Sequence, residues 1–247
     1  MVIRLVTFDA LHTIITPRLP IFIQYSQTFE PYLGVLGQDA LKSSFKLALK
    51  QLQAEKPVYG DGARRWWGEV IRRTALGAGA DPEAVERNIG EIVPRLLHRF
   101  SSKEGYKLYD DTYTCLEQLK TMNIRTGLIS NTDVRIRGVL DDLTITSFLN
   151  PILLSEEEGV EKPSREIFQR ACDFTGVQAE EAVHVGDDLE ADYFGAMNSG
   201  LRSLLIRRPG PEGEGEAKEV GENLAGLRMV EGLQQVVDWV RRENGII

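Results

Sequence analysis

Cysteine is nearly absent from this sequence: there are two in 247 residues, Cys115 and Cys172. Both stand in stretches with helical patterning and make no CxxC or other metal-ligand spacing. A disulfide-stapled framework and a thiolate metal centre are therefore set aside, and the thiols read as structural groups of a reducing compartment. Long apolar runs are missing too. None approaches the roughly 20 residues that a bilayer-spanning helix needs, and the first apolar stretch is interrupted by Asp9 without a basic leader or a small-residue cleavage site. The expectation is an intracellular, soluble protein, cytoplasmic by default. Excess positive charge is also lacking. A formal charge of −8 and a pI near 5.1 disfavour non-specific binding to nucleic acid or to an anionic membrane, so neither is expected as a partner.

What is present is an alternation. Short continuous apolar runs, "RLVTFDA" at 4–10, "RTGLISN" at 125–131, "PILLS" at 151–155, "AVHVGD" at 182–187 and "RSLLIRR" at 202–208, are separated in the later part of the chain by helically patterned segments. Runs of this kind are strands buried on both faces, and the alternation predicts an α/β fold, a doubly wound, Rossmann-like parallel sheet. Between the first run and the second, residues 16–107 hold four helical patterns and no convincing strand. The fourth, "DPEAVERNIGEIVPRLLHRF", opens on Asp81 as N-cap and Pro82 as a pre-set first turn. Some ninety residues are too many for a crossover. They read as an inserted all-helical cap domain, leaving a core of residues 1–15 and 108–247. Late in the chain, "RRPGPEGEGEAKEVGEN" reads as a solvated loop before a last helix, "GLQQVVDWVRREN".

In a doubly wound sheet ligands bind at the carboxyl ends of the strands, and polar residues gather at those ends here. Asp9 ends the first strand, Ser130 and Asn131 the second, and Asp187 and Asp188 the fourth, with Asp192 about a helical turn beyond; Lys162, in "GVEKPSREIF", follows the third. Carboxylates at such close quarters repel unless a cation sits among them, and an all-oxygen site facing a phosphate suits Mg²⁺. Ser130 and backbone NH groups would hold phosphoryl oxygens, Lys162 would supply a fixed positive charge, and Asp9 would attack phosphorus to give an aspartyl-phosphate.

Together these residues resemble the haloacid dehalogenase-like hydrolase superfamily, most of whose members are Mg²⁺-dependent phosphatases. "FDALHT" is similar to the nucleophile motif, "LISNTD" to the second, "EKPSREIF" to the third and "VHVGDDLEAD" to the fourth. The resemblance implies Asp9 and Lys162 as catalytic residues, and phosphate binding by Ser130, Asn131, Lys162 and Thr13. It implies metal binding by Asp9, the Leu11 backbone carbonyl, Asp187, Asp192 and Asp188, and a helical cap that reads a small phosphorylated substrate. Arg64 and Trp67, after the turn "YGDG", are the cap residues placed toward that substrate.

One position departs from the pattern. Phosphatases of this family carry a second aspartate two residues after the nucleophile as general acid and base, and here that residue is Leu11. Such assistance is worth about 10² to 10⁴ in rate. Three readings follow: a phosphatase restricted to leaving groups that need no proton, or served by His12; a different reaction such as dehalogenation, against which the retained acidic cluster counts; and a catalytically inactive phosphate- and metal-binding or scaffold protein. His98 and His184 read as structural. A receiver domain gathers similar groups at a sheet edge, but it is small and uninterrupted, unlike this chain.

Overall fold

The computed structural model describes residues 2–59, 62–209 and 221–246. In chain order the elements are β1 (Leu5–Phe8), β2 (Ile15–Pro17), α1 (Ile21–Leu33), α2 (Gln38–Glu55), α3 (Ala63–Gly77), α4 (Pro82–Arg99), β3 (Tyr106–Leu108), α5 (Thr112–Thr121) and β4 (Arg125–Ser130). There follow α6 (Arg135–Asp142), β5 (Ile152–Leu154), α7 (Ser155–Glu158), α8 (Arg165–Thr175), β6 (Ala182–Gly186), α9 (Gly195–Asn198), β7 (Arg202–Ile206), β8 (Met229–Val230) and α10 (Leu233–Glu243). By its contacts the chain divides into two units. One comprises Met1–Thr16, Leu108–Thr132 and Leu143–Ile247, and the other Pro17–Lys107 and Asp133–Asp142.

The first unit is built on a six-stranded sheet in the order β5-β4-β1-β6-β7-β8, parallel at every pairing. Strand β1 is central because all four of its residues are buried and it pairs on both sides, with Leu5 in register with Arg125 on β4 and with Ala182 on β6. One face is closed by α8, whose Ile167, Phe168, Ala171 and Cys172 pack on Leu5, Ile129 and Leu153. The order reverses at β1: the chain next adds β4 on one side and later β6 on the other, which leaves the crevice where such sheets bind ligands.

The second unit is helical. Helix α4 starts where the sequence places it, with the Asp81 side chain accepting from the Ala84 backbone N–H at 2.8 Å and Pro82 in the first turn. Tyr25 and Phe29 of α1, Leu41 of α2, Ile71 and Ala75 of α3, and Val85, Ile92 and Leu96 of α4 form its core. Residues on α1, α3 and α4 recur at intervals of four or seven and so line one face of each helix.

The structure adds to the sequence reading at three places. The segment Asp133–Asp142, expected within the core, groups with the helical unit. Strands β2 and β3 form a small second sheet at the two ends of the stretch read as purely helical, and β8, only two residues long, extends the main sheet. The Gly-, Pro- and Glu-rich stretch at 207–223 lies in large part outside the described residues. Among those described, no helix is long and apolar enough to cross a membrane.

Candidate active site

Three carboxylates, those of Asp9, Asp187 and Asp192, offer oxygens that all lie within 4.8 Å of one another, and all three residues are buried. Two of them arrive from strand ends. Asp9 follows β1, Asp187 follows β6, and Asp192 lies in a single π-helical segment, Leu189–Phe194. The wider winding of a π segment is common where a helix must redirect a functional side chain. Here it accompanies a carboxylate folded back against the strand end, and a Cβ at Gly186 would come within 2.2 Å of that carboxylate. Only glycine fits there.

Lys162 stands between two of the three. Its ammonium lies 2.6 Å from Asp9 Oδ1 and 2.6 Å from Asp192 Oδ1, with the residue 3% exposed. Its loop is tied down by Asn131: the Lys162 backbone N–H donates to Asn131 Oδ1 at 2.8 Å and Asn131 Nδ2 donates to the Lys162 carbonyl at 2.9 Å. Ser130 Oγ donates to Asp9 Oδ1 at 3.1 Å. Thus Oδ1 of Asp9 is held by two donors, while Oδ2 has no hydrogen bond to a described residue.

The electrostatics are those of a site short of positive charge. Burial works against Lys162 carrying its proton, but Asp192 and Asp9 outweigh it and hold the ammonium above the ordinary lysine value. Burial likewise opposes ionisation of Asp192, yet Lys162 and a hydrogen bond from His184 keep its carboxyl below the ordinary range. Asp9 goes the other way. Burial raises it most, Asp192 adds to the rise, and Lys162 alone does not compensate. Three carboxylates face one ammonium, so a doubly charged cation would neutralise the group. A donor set made of carboxylate oxygens suits a hard cation such as Mg²⁺. Thr13 adds an observation of the same kind, since its hydroxyl is fully buried without a partner among the described residues.

Other residues singled out in the sequence are placed differently. Asp188 is exposed, and its Oδ1 caps the π segment by accepting from Glu190 and Ala191 N–H at 3.0 and 2.7 Å; its own N–H donates to Asp192 Oδ2 at 2.9 Å. It stands outside the acidic cluster. Arg64 is exposed on α3 and lines no described cavity. Trp67, within the helical unit, donates from Nε1 to Asp133 Oδ2 at 2.7 Å, and Asp133 is also held bidentately by Arg135. Leu11 makes an isolated bridge with Ile15, and His12 has a φ of 61°. His12 lies past the end of β1 at Phe8, so strand alternation does not set the direction of its side chain. Both cysteines are buried, and burial pushes the Cys172 thiol up to about 11, which removes them from thiolate chemistry.

Sequence reasoning missed two arginines that brace the site. Arg207, with its side chain 2% exposed, donates to the Asp187 carbonyl and pairs with Glu222 at 2.9 Å. Arg208 donates to the Thr13 carbonyl at 2.9 Å, pairs with Asp111 and lies 3.7 Å from the Tyr109 ring centroid. It also missed the partners of His184: Nε2 lies 3.0 Å from Asp192 Oδ1, and Nδ1 lies 2.9 Å from Thr7 Oγ1.

Comparison with known proteins identifies a family. Residues 3–200 match a family model described as haloacid dehalogenase-like hydrolase. The chain is 28% identical over 210 residues to "Haloacid dehalogenase-like hydrolase domain-containing protein 3" of Danio rerio, covering 83% of this chain and 86% of that protein. It is 35% identical over 161 residues to the "Glyceraldehyde 3-phosphate phosphatase" of Methanopyrus kandleri, covering 64% and 65%. Among solved structures, the 2-haloacid dehalogenase of Pseudomonas syringae superposes with a TM-score of 0.65 at 22% identity, over 97% of this chain and 99% of that one.

Proposed function

The chain belongs to the haloacid dehalogenase-like hydrolases, and from that premise we propose that it is a Mg²⁺-dependent phosphohydrolase of a small phosphorylated metabolite, with Asp9 as nucleophile. One observation carries the reading. Asp9 has one oxygen fixed by Lys162 and Ser130 and the other free of described partners, within a buried cluster that holds more negative than positive charge.

The residues divide the work as follows. Asp9, Asp187 and Asp192 would hold Mg²⁺ with the Leu11 carbonyl, and the bound ion would supply charge neutralisation for phosphoryl oxygens. Ser130 and Asn131 bind the phosphoryl group, and Lys162 orients Asp9 and stabilises the added charge. The unbonded Asp9 oxygen forms a bond to phosphorus as the ester P–O bond breaks, and the electron pair leaves on the ester oxygen. Water then attacks phosphorus, Asp9 departs as carboxylate, and phosphate is released with the protons of that water.

Leu11 brings no acid to the leaving group, and this restricts the reaction to groups that depart as stable anions, such as aryl or acyl phosphates. The phosphatase of Methanopyrus kandleri supports a phosphate ester as substrate. A second reading, a phosphate- and metal-binding protein with little turnover, rests on Leu11 itself. A panel of aryl phosphates, alkyl phosphates and 2-haloacids, assayed with and without Mg²⁺ on the wild type and Asp9→Asn, separates these. The proposal expects Mg²⁺-dependent aryl phosphate turnover that Asp9→Asn abolishes; halide release would overturn it, and phosphate binding without turnover would favour the second reading.

A further inference from the structure

His184 is a polar ring where an apolar side chain would pack with less cost. It lies on β6 between Val183 and Val185, fully buried, with the Phe168 ring edge-on at 5.2 Å. Burying an imidazole is unfavourable unless both nitrogens find partners, and both do. Thr7 and His184 are register partners on adjacent parallel strands, which places the Thr7 hydroxyl 2.9 Å from Nδ1. Nε2 meets Asp192 Oδ1 at 3.0 Å.

The hydrogen positions follow from the acceptors. Asp192 already receives Lys162 Nζ on Oδ1 and the Asp188 N–H on Oδ2 and, as a carboxylate, can only accept, so Nε2 carries the hydrogen. Nδ1 meets the Thr7 hydroxyl, which also lies 3.5 Å from the Val183 carbonyl.

We propose that His184 is a positioning residue of this site: donating from Nε2 and held at Nδ1 by Thr7, it fixes the Asp192 carboxylate that aims the Lys162 ammonium at Asp9. The inference deepens the phosphohydrolase reading and rests on it for its kinetic consequence. A chain of contacts runs Thr7, His184, Asp192, Lys162, Asp9, each between 2.6 and 3.0 Å. Without the His184 donor, Oδ1 of Asp192 keeps only Lys162, and the ammonium can follow Asp192 away from the nucleophile.

Two measurements on the full chain test this. In ¹⁵N-histidine-labelled protein, Nε2 of His184 should carry a hydrogen in the wild type and in Thr7→Val alike; an Nε2 without hydrogen in the wild type overturns the proposal. In Mg²⁺-dependent hydrolysis of p-nitrophenyl phosphate, His184→Phe should lower kcat about 30-fold, the worth of one charge-assisted hydrogen bond, with KM within about twofold. His184→Gln, whose amide nitrogen reaches the place of Nε2, should restore most of kcat. If His184→Phe fails to fold, Thr7→Val takes its place, with a smaller fall in kcat and unchanged KM expected. Equal losses in the Phe and Gln variants, or a change confined to KM, would overturn the positioning role. Absence of any wild-type turnover would instead remove the phosphohydrolase reading, and the Nε2 hydrogen would still decide how His184 is placed.

Discussion

Lys162 and Asp9, 153 residues apart in sequence, meet at 2.6 Å in a buried ion pair. A buried ammonium is tolerated only where carboxylates surround it, and two do so here. Replacing it with Met leaves Asp9 and Asp192 facing each other without compensation. Lys162→Met should cost about 3 kcal/mol of stability, read from urea melts at neutral pH, and should reduce aryl phosphate turnover by roughly 10²-fold or more.

Leu11 marks the absence of a general acid, so restoring one should act selectively. Leu11→Asp should raise turnover of alkyl phosphates about 10²-fold while changing that of aryl phosphates by only a few-fold, because only the alkoxide needs a proton as it leaves. Parallel kcat measurements on the two substrate types check this, and a uniform gain or no gain would contradict it.

The Asp133–Arg135 pair of the helical unit gives a pH dependence with a defined sign. Burial opposes the Asp133 charge, but hydrogen bonds from Arg135 and Trp67 prevail and hold the carboxyl below its ordinary value. A lowered carboxyl contributes stability that is present above its unfolded value, near 4, and is lost as pH falls through the folded value. Arg135→Ala should therefore destabilise by about 2 kcal/mol at pH 7, and the gap from the wild type should close on acidification below about pH 4. Urea melts followed from pH 7 to pH 3 measure it.

Arg208 joins Asp111 to the Thr13 carbonyl in the turn that follows the nucleophile. Arg208→Ala should lower stability by about 2 kcal/mol and kcat more than KM, since Ser130, Asn131 and Lys162 stay in place. Steady-state kinetics alongside thermal melting separate the two effects.

The legible part of this molecule was what short-range patterning dictates. Five strands were visible because each is a buried apolar run, and α4 because Asp81 and Pro82 mark its start. The polar strand ends Asp9, Ser130, Asn131 and Asp187 were visible for the same reason: polarity interrupts an apolar run where the strand stops. Strand β8 was not, because two residues carry no period. His184 looked structural because its partner lies within a π-helical segment that no spacing rule encodes. Arg208 looked like the solvated end of a strand, since its contacts to Thr13 and Asp111 span 195 and 97 residues. Asp188 was within reach of sequence reasoning: an aspartate directly before a helical segment is the residue type that caps it, and that is what it does.

The central claim is that Asp9 carries the phosphoryl group during turnover. Acid quench of the wild type reacting with p-nitrophenyl phosphate and Mg²⁺, followed by peptide mass analysis, tests it most directly. The account predicts a phosphoryl adduct on the peptide containing Asp9, absent from Asp9→Asn. Turnover that proceeds with no such adduct, or that persists in Asp9→Asn, would contradict it.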